Sequence, residues 1–364
     1  MSSRPSSAPT IIDVAREAGV SIKTVSRVLN REAGVHEQTR EQVLAVVAQL
    51  KYRPKLSARS LAGARSYLIG LLYYDPSASF VGGVQKGAAV RCREAGYHLV
   101  VESIEDDAPD IEAQVDRMVA ALRPDGMILT PPLCDNAQVL KVLADSGTPT
   151  VLISPGEHDP ALLTVRMDDV QAAAEVTELL IELGHERIAF IRGAPDQAAS
   201  ELRYQGFKRA MKAHGLVVDE SLVYQGDFTF PSGVAGANHL LAQRQRPTAV
   251  FASNDDMALG VLSAAQRLGL QVPAELSIAG FDDSPAATLV WPPLTTVRQP
   301  IEDMARMAVD MLVTPAATAD GDETLPTERV LPHQLVPRDS TMALASRKRR
   351  AAVSTAPAKP ARKA

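Results

Sequence analysis

Apolar residues recur with helical spacing through the first fifty residues of the chain. The spacing predicts a first helix after Thr10, a second over 22–30 and a third over 37–50. The third helix directs four apolar residues toward a shared core: Val43, Leu44, Val47 and Leu50. Residues 1–9 are rich in Ser, Pro and Ala, and we expect them to be disordered.

Polar residues and a glycine mark the ends of the first two helices. Thr10 and Ser21 precede apolar runs, as helix-capping hydroxyls do, and Gly19 suits the left-handed position that ends a helix. Two short helices joined through Gly19, Val20 and Ser21 have the spacing of a helix-turn-helix. We therefore predict a helical headpiece over residues 10–53.

A short segment follows the headpiece. Pro54 can begin a helix and Gly63 can end one, which leaves about two turns between them. So short a helix is marginal in water, because nucleation costs more free energy than a few hydrogen bonds return. We interpret residues 54–65 as a linker that becomes helical only when something holds it. The residues alone leave an inert tether equally open.

From Tyr67 onward the pattern changes to short apolar runs that alternate with helical stretches. This alternation predicts βαβ units, parallel sheets and right-handed crossovers. A first set of strands is predicted at 67–74, 97–103, 126–130 and 149–154. A second set is predicted at 187–193, 222–227, 248–253 and 276–282. The predicted helices are 80–95, 111–122, 136–146, 169–183, 200–214, 232–243 and 255–268. Two sets predict a core over 66–345 built of two α/β lobes with a cleft between them.

Charge is strongly segregated along the 364 residues. Residues 1–65 carry 11 Lys/Arg and 5 Asp/Glu, whereas residues 346–364 carry 7 Lys/Arg and no acid. The stretch between them has a net charge of −18, although the whole chain is only −5. Basic ends on an acidic body favour contact of the ends with a polyanion. We expect 346–364 to be a disordered basic tail.

Composition excludes several classes of protein. The mean hydropathy of −0.03 is that of an ordinary globular protein, and the chain has no run of 18 apolar residues and no signal-peptide pattern. We therefore expect a cytoplasmic protein without a membrane span. Cys92 and Cys134 are the only cysteines, so neither a disulfide scaffold nor a Cys-type zinc site is predicted. Dinucleotide, P-loop, hydrolase and zinc-protease motifs are absent, which argues against an enzyme, a cofactor or a metal.

The second headpiece helix carries the residues best suited to reading DNA. Lys23 and Arg27 lie four positions apart on one face and can both reach guanine, and Ile22 can meet a thymine methyl group. Ser26 lies on the same helix and is also a candidate for base contact. Short polar side chains suited to phosphate contacts are Thr10, Ser21, Thr24 and Asn30.

Candidate ligand-binding residues follow the predicted strands, because the carboxyl ends of parallel strands face the cleft. The candidates are Tyr74, Asp75, Ser79, Phe80, Ser154, Arg203, Phe228, Asn254, Asp282 and Gln299. A guanidinium, a carboxylate and an amide beside aromatic rings can recognise a sugar. Asp255 is expected to cap the helix after it, and Asp283 to be a structural turn residue.

Several segments resemble the lactose-repressor (LacI/GalR-type) family of bacterial transcription regulators. They are TIIDVAREAGVSIKTVSRVLN (10–30), TREQV (39–43), LKYRPKLSARSLAG (50–63), SYLIGLL (66–72), LGHERIAFIRG (183–193), SNDDMALG (253–260), GFDDS (280–284) and PPLTTVRQP (292–300). They cover nearly the whole chain in the family's order, and the first is very specific. The resemblance implies a two-lobed core like that of periplasmic binding proteins.

The resemblance also implies roles for individual residues. In the family the linker is a hinge helix that orders on DNA and wedges a leucine into the minor groove, and the matching residues are Ala58 and Leu61. Arg203, Asn254 and Asp282 match family effector contacts, and Phe228 matches an aromatic wall. Ser154 and Pro155 stand where several sugar-responsive members carry an acid, so no particular sugar is implied.

The sequence therefore predicts a homodimeric repressor that binds a near-palindromic operator and responds to a small molecule, which we expect to be a sugar or sugar derivative. A corepressor-dependent, purine-type regulator and an activator are alternatives within the family. A solute-binding protein shares the two lobes but lacks residues like 10–63.

Overall fold

The computed structural model describes residues 9–29, 34–52, 65–74, 77–104, 108–156, 159–314 and 326–344. The chain divides into two compact units, Met1–Tyr67 and Leu68–Ala364. The predicted linker helix, the N-terminal segment and the basic tail lie almost wholly outside the described residues.

The first unit contains three helices, α1 (Ile11–Glu17), α2 (Ile22–Leu29) and α3 (Glu37–Gln49). Thr10 caps α1 reciprocally with Asp13, and the Ser21 hydroxyl accepts a hydrogen bond from the Thr24 amide at 3.1 Å. Gly19 has a φ of +62°, as expected for a residue between two helices. The two predicted caps and the turn are therefore present as the sequence indicated.

The headpiece core consists mainly of small apolar side chains. The buried residues are Val14, Ala15, Ala18, Val25, Val28, Val43, Val46 and Tyr52. The predicted face of α3 is partly wrong, because Leu44 is 47% exposed and Val46 is buried instead. Leu44 and Val46 are two positions apart and therefore lie on opposite sides of α3. The packing of α1 and α2 decides which side faces inward.

The second unit begins with a six-stranded parallel sheet in the order β11-β5-β4-β3-β1-β2. Its strands are β1 (Leu68–Tyr73), β2 (His98–Ser103), β3 (Gly126–Leu129), β4 (Thr150–Ile153), β5 (Leu163–Arg166) and β11 (Glu328–Val330). Its helices are α4 (Ala78–Ala95), α5 (Ile111–Leu122), α6 (Ala137–Asp145) and α11 (Ile301–Val313). We call this sheet and its helices the N-lobe.

A second parallel sheet, in the order β7-β6-β8-β9, forms the C-lobe. Its strands are β6 (Ile188–Arg192), β7 (Val223–Gln225), β8 (Ala249–Ala252) and β9 (Ser277–Ala279). Its helices are α7 (Asp169–Glu182), α8 (Ala198–Ala213), α9 (Phe230–Leu241) and α10 (Asp255–Arg267). An antiparallel pair, β10 (Thr296–Arg298) and β12 (Gln334–Val336), completes it.

The chain passes between the lobes three times. It crosses after β5, again between β10 and α11, and a third time between β11 and β12. These crossings explain the elements that the sequence pattern missed, namely β5, β10, β11, β12 and α11. The four strands have only three or four residues each, which is too short for a periodicity to be recognised.

Glycines let the covering helices pack closely. A Cβ atom on Gly206 of α8 would overlap the Val170 carbonyl of α7, and one on Gly233 of α9 would overlap the Met257 carbonyl of α10. In the N-lobe, Gly87 of α4 lies in the same way against Glu302 of α11. The backbones of the two helices in each pair are therefore in direct contact. This packing holds the strand ends beneath the helices in place.

Residues 337–344, which we call the C-terminal strap, bind the C-lobe at several points. Ser340 is fully buried. Its amide donates to the Pro293 carbonyl, and its hydroxyl accepts from the Thr295 amide and donates to the Ile278 carbonyl at 2.6 Å. The Leu344 amide donates to the Leu183 carbonyl at 2.7 Å. The strap therefore joins the end of α7 to β9 and β10.

His185 is buried beneath the strap. Its Nε2 lies 3.2 Å from the Met342 carbonyl and 3.0 Å from the Ser277 hydroxyl, and its Nδ1 lies 2.9 Å from the Thr248 hydroxyl. A carbonyl can only accept, so Nε2 carries the proton and Nδ1 accepts from Thr248. Burial lowers the pKa of His185 below its usual 6.5. This environment is that of a structural histidine.

Replacing His185 with Gln should cost about 1–3 kcal/mol of stability at pH 7.5, because buried partners lose their hydrogen bonds. The cost should shrink at pH 5.5. The lowered pKa of His185 means that the unfolded chain takes up the proton first, so the wild type loses this contribution as pH falls below about 6.5. Urea unfolding of both proteins at the two pH values measures the difference, and an equal gap at both would contradict the assignment.

Candidate functional site: a helix-turn-helix surface and an interlobe cleft

The outer face of α2 carries the predicted base-reading residues. Ile22, Lys23 and Arg27 are exposed, with Ile22 47% accessible, whereas Val25 and Val28 turn into the headpiece core. Lys23 and Arg27 thus share one outward face, and Ser26 is half-buried at its edge. Thr10, Ser21 and Thr24 lie at the amino ends of α1 and α2, whereas Asn30, Ala58 and Leu61 lie outside the described residues.

A cavity of about 40 Å³ lies between the two lobes. The N-lobe contributes Ser77, Phe80, Pro131 and Ser154, and the C-lobe contributes Asp169, Gln197, Ala199, Arg203, Phe228, Asn254 and Asp282. Gln299, on the second crossing, completes the lining. Seven of the ten predicted ligand-binding residues therefore meet in one place. The volume is below that of a typical ligand pocket, so a sugar-sized ligand requires the walls to move apart.

Arg203 is the central cation of the cavity. Its Nε donates to Asp169 at 2.9 Å, and its Nη1 donates to the Ser253 carbonyl at 2.6 Å and lies 3.8 Å from Asp282. Its guanidinium also stacks over the Phe281 ring at 3.8 Å. These contacts hold a buried charge rigidly, because an unpaired guanidinium would be costly here.

Asp282 lies in an unusual backbone conformation, with a φ of +120°. Its amide donates to the Val297 carbonyl at 2.8 Å, and its Oδ1 accepts from the Gln299 amide at 2.5 Å. Burial raises the pKa of Asp282 well above its usual value, while Arg203 opposes that rise. The next residue, Asp283, is ion-paired with Arg298 and Arg338, so the loop is fixed from both sides.

One polar group of the cleft, the buried Ser154 hydroxyl, has no hydrogen-bond partner among the described residues. Gln197 also lines the cavity and is 92% buried. Buried polar atoms are normally satisfied, so an unsatisfied hydroxyl that lines a cavity marks a place where a polar ligand would gain a hydrogen bond.

Comparison with known proteins identifies the family. Residues 10–55 match the bacterial regulatory proteins of the lacI family, and residues 177–341 match the periplasmic binding protein-like domain. The HTH-type transcriptional regulator DegA of Bacillus subtilis is 36% identical over 337 residues, which cover 92% of this chain and 98% of DegA. The chain belongs to the LacI family. The resemblance seen in the sequence is thereby confirmed.

Other relatives and structures agree with this placement. The ribose operon repressor of Escherichia coli K12 is 34% identical to this LacI-family chain, covering 84% of it and 92% of the repressor. The structure of the lac repressor dimer bound to operator and an anti-inducer matches with a TM-score of 0.77 at 29% identity, covering 93% of this chain and 100% of that one. The regulator CelR in complex with cellobiose matches at 0.68 and 33%, covering 91% and 99%. The predicted fold class, a helix-turn-helix headpiece with a two-lobed α/β core, is confirmed.

Two predicted residues of this LacI-family cleft, Tyr74 and Ser79, do not line the cavity. Tyr74 is partly exposed at the end of β1, and Asp75 lies outside the described residues. Ser79 instead lines a neighbouring open groove of about 900 Å³, which shares Phe80, Asp282 and Gln299 with the cavity. A helix side chain one position from Phe80 points about 100° away from it, which explains the difference.

Five lining residues were not predicted from the sequence, namely Ser77, Pro131, Asp169, Gln197 and Ala199. Asp169 begins α7 directly after the first crossing, and that crossing was invisible because β5 was not recognised. Gln197 and Ala199 begin α8, which starts two residues earlier than predicted. Asp169 and Gln197 would both be predicted if every strand end and every helix start after a crossing were taken to face the cleft.

The expected cap of α10 is corrected by the structure. Asn254, not Asp255, caps α10, because its Oδ1 accepts from the Met257 amide at 2.9 Å. Its Nδ2 donates to the Phe228 carbonyl at 2.8 Å, which holds the aromatic wall. Asp255 is fully buried and accepts from the Thr296 hydroxyl at 2.6 Å and from the Ser284 amide at 2.7 Å. It therefore fixes the loop that carries Asp282.

The described residues include no group of three His, Cys, Asp or Glu side chains that could hold a metal ion, and none of their helices is long and apolar enough to cross a membrane.

Asp255→Asn should change how stability depends on pH. Burial raises the pKa of Asp255 to about 7, whereas the unfolded chain ionises near 3.8. The wild type should therefore lose stability as pH rises from about 4 to about 7, and the variant should lack this part of the decline. Urea unfolding at pH 5, 6, 7 and 8 measures both curves, and parallel curves would contradict the buried, protonated carboxyl.

Proposed function

We propose that this protein is a sequence-specific DNA-binding repressor whose operator affinity is controlled by a small molecule bound between its lobes. The single observation that carries the proposal is the joint presence of an outward-facing basic helix and an interlobe cleft lined by buried polar side chains in a LacI-family chain. The headpiece binds the operator, and the core senses the ligand.

The headpiece supports specific recognition. Lys23 and Arg27 project from one face of α2 and suit guanine, while Ile22 suits a thymine methyl group. Thr10, Ser21 and Thr24 stand at helix amino ends, where backbone amides favour phosphate, and Asn30 and Ser26 are assigned to further contacts with DNA. Family resemblance assigns Ala58 and Leu61 to a hinge helix that inserts into the minor groove.

The chemistry of the cleft favours a sugar or sugar derivative. Arg203 and Gln197 offer donors, Asp282 and Ser154 offer acceptors, and Phe228 offers a flat apolar face. Paired donors and acceptors match vicinal hydroxyls, and an aromatic ring covers the C–H face of a pyranose or furanose. Two comparison proteins are named for ribose and cellobiose, in keeping with this class. A purine corepressor is the alternative ligand class.

Ligand binding and DNA binding are coupled through the lobes. The ligand contacts both lobes, so it favours one separation between them, and the N-lobe continues directly into the segment that precedes β1. A ligand that weakens operator binding must itself bind the DNA-bound form less tightly by the same factor.

We further propose a homodimer. Leu289 and Trp291 are 82% and 78% exposed on one loop of the C-lobe, an apolar surface that a second copy would cover. Two headpieces related by a two-fold axis would read a near-palindromic operator.

The remaining assignments follow from this role. A regulator of transcription acts in the cytoplasm, and it requires neither a catalytic centre nor a cofactor. The seven basic residues of 346–364 would add a non-specific, salt-sensitive attraction to DNA.

Arg27→Ala should weaken binding to the specific duplex by about 1–3 kcal/mol and relax its sequence preference. The duplex is first selected from a random pool with the wild-type protein, and affinities are then measured at fixed salt. Arg16→Ala is the matched control, since Arg16 lies on α1 and pairs with Asp13 at 2.6 Å. The DNA-reading role would be contradicted if the selection recovered no preferred sequence. It would also be contradicted if Arg27→Ala and the wild type bound the duplex with equal affinity.

Gln197→Ala should abolish or greatly reduce ligand binding without unfolding the core, because the Gln197 side chain lines the cavity and takes part in no ion pair among the described residues. Arg203→Ala is a poor choice, since it would leave Asp169 buried and unpaired. Thermal shift with a panel of monosaccharides, disaccharides and purines detects binding by mass action.

The matched control for that panel is Gln205→Ala, an exposed glutamine on the same helix. A compound that stabilises the wild type and Gln205→Ala but not Gln197→Ala places the ligand in the cleft. A compound that stabilises all three equally places it elsewhere, and a panel without any hit argues against the sugar and purine classes.

A further inference from the structure

The two lobes touch directly at a side-chain contact away from the crossings. The Ser77 hydroxyl of the N-lobe donates a hydrogen bond to Oδ2 of Asp256 in the C-lobe at 3.3 Å. Ser77 precedes the first turn of α4, and Asp256 lies in the first turn of α10. The contact therefore joins the amino ends of two helices that belong to different lobes.

Ser77 is not used to cap its own helix. The residue is 95% buried at the N-cap position of α4, yet its side chain makes no capping bond there and points to Asp256 instead. Ser at an N-cap ordinarily satisfies an amide of its own first turn. Because the Ser77 hydroxyl bonds the other lobe and does not cap its own helix, the bond favours the close approach of the two lobes.

The contact borders the cavity on the side of its apolar wall. Ser77 and Phe80 both line the cavity, and they are one turn apart on α4. Asp256 follows Asn254, the cap that holds the Phe228 carbonyl. Drawing Ser77 toward Asp256 thus brings the Phe80 side of the N-lobe against the Phe228 side of the C-lobe.

A second close approach is made by backbone and a methyl group. A Cβ atom on Gly156 of the N-lobe would lie 2.6 Å from the Cβ of Ala198 at the start of α8. Ala198 cannot move away without its helix, so the lobes reach this separation only because residue 156 has no side chain. Gly156 permits the close approach, and Ser77 and Asp256 supply a directional attraction.

We propose that Ser77 and Asp256 form a clasp that holds the lobes together and positions the Phe80 wall over the cleft. Because the closed cavity of about 40 Å³ is smaller than a sugar, admitting a ligand requires the clasp to open. Asp256 is thereby a positioning residue that sets how readily the cleft opens. The regulatory meaning of the clasp rests on the proposed function, but the clasp itself is measurable without DNA or ligand.

Hydrogen exchange on the full-length protein, without DNA or ligand, tests the clasp. Asp256→Ala and Ser77→Ala should each speed exchange in the first turn of α4 by about twofold to tenfold, the range expected for one hydrogen bond. The double variant should add little to either single change, since both remove the same bond. Gly156→Ala, which wedges the lobes apart, should produce the same pattern.

Two variants separate the clasp from general effects. Asp256→Asn keeps an acceptor for the Ser77 hydroxyl and should exchange like the wild type. Asp310→Ala removes an ion pair with Arg91 inside the N-lobe, 2.6 Å long, and should leave the first turn of α4 unchanged. Additive single changes, or Asp256→Asn exchanging as fast as Asp256→Ala, would overturn the proposal. Failure of DNA or ligand binding in the earlier tests would not affect this result.

Discussion

The buried guanidinium of Arg203 is the interaction around which the cleft is organised. It comes from α8, pairs with Asp169 at the first crossing, bonds the end of β8 through the Ser253 carbonyl and faces Asp282 beyond β9. A charge in so dry a place is tolerated only when its partners are fixed, and each partner belongs to a different segment of the C-lobe. The floor of the cleft is rigid for this reason.

A supporting layer keeps those partners in place. Asp255 holds the loop of Asp282 through Thr296 and Ser284, and Asn254 holds the aromatic wall through the Phe228 carbonyl. None of these bonds needs a ligand. The recognition surface of the C-lobe is therefore formed before anything binds, which lowers the ordering cost that binding would otherwise carry.

The sequence predicted most of the helices well, but it missed four short strands and the 13-residue helix α11. Helical spacing located α5 and α10 to within a residue, because a helix of three turns repeats its pattern several times. The crossings escaped notice because β5 and β10 to β12 present three or four residues each, and Asp169 was missed with them. Leu44 was placed in the headpiece core from spacing alone, whereas only the packing of α1 and α2 could show that Val46 takes that place. The family resemblance supplied Arg203 and Asp282, whose partners become visible only when distant segments meet.

The C-terminal strap has a consequence for how the chain is made. Ser340, Met342 and Leu344 complete the C-lobe, and β11 completes the edge of the N-lobe sheet, although both belong to the last residues that the structure describes. The headpiece has its own closed core by residue 52. On the ribosome, the DNA-facing unit can thus fold long before either lobe, and a prematurely ended product would carry a finished headpiece without a sensor to govern it.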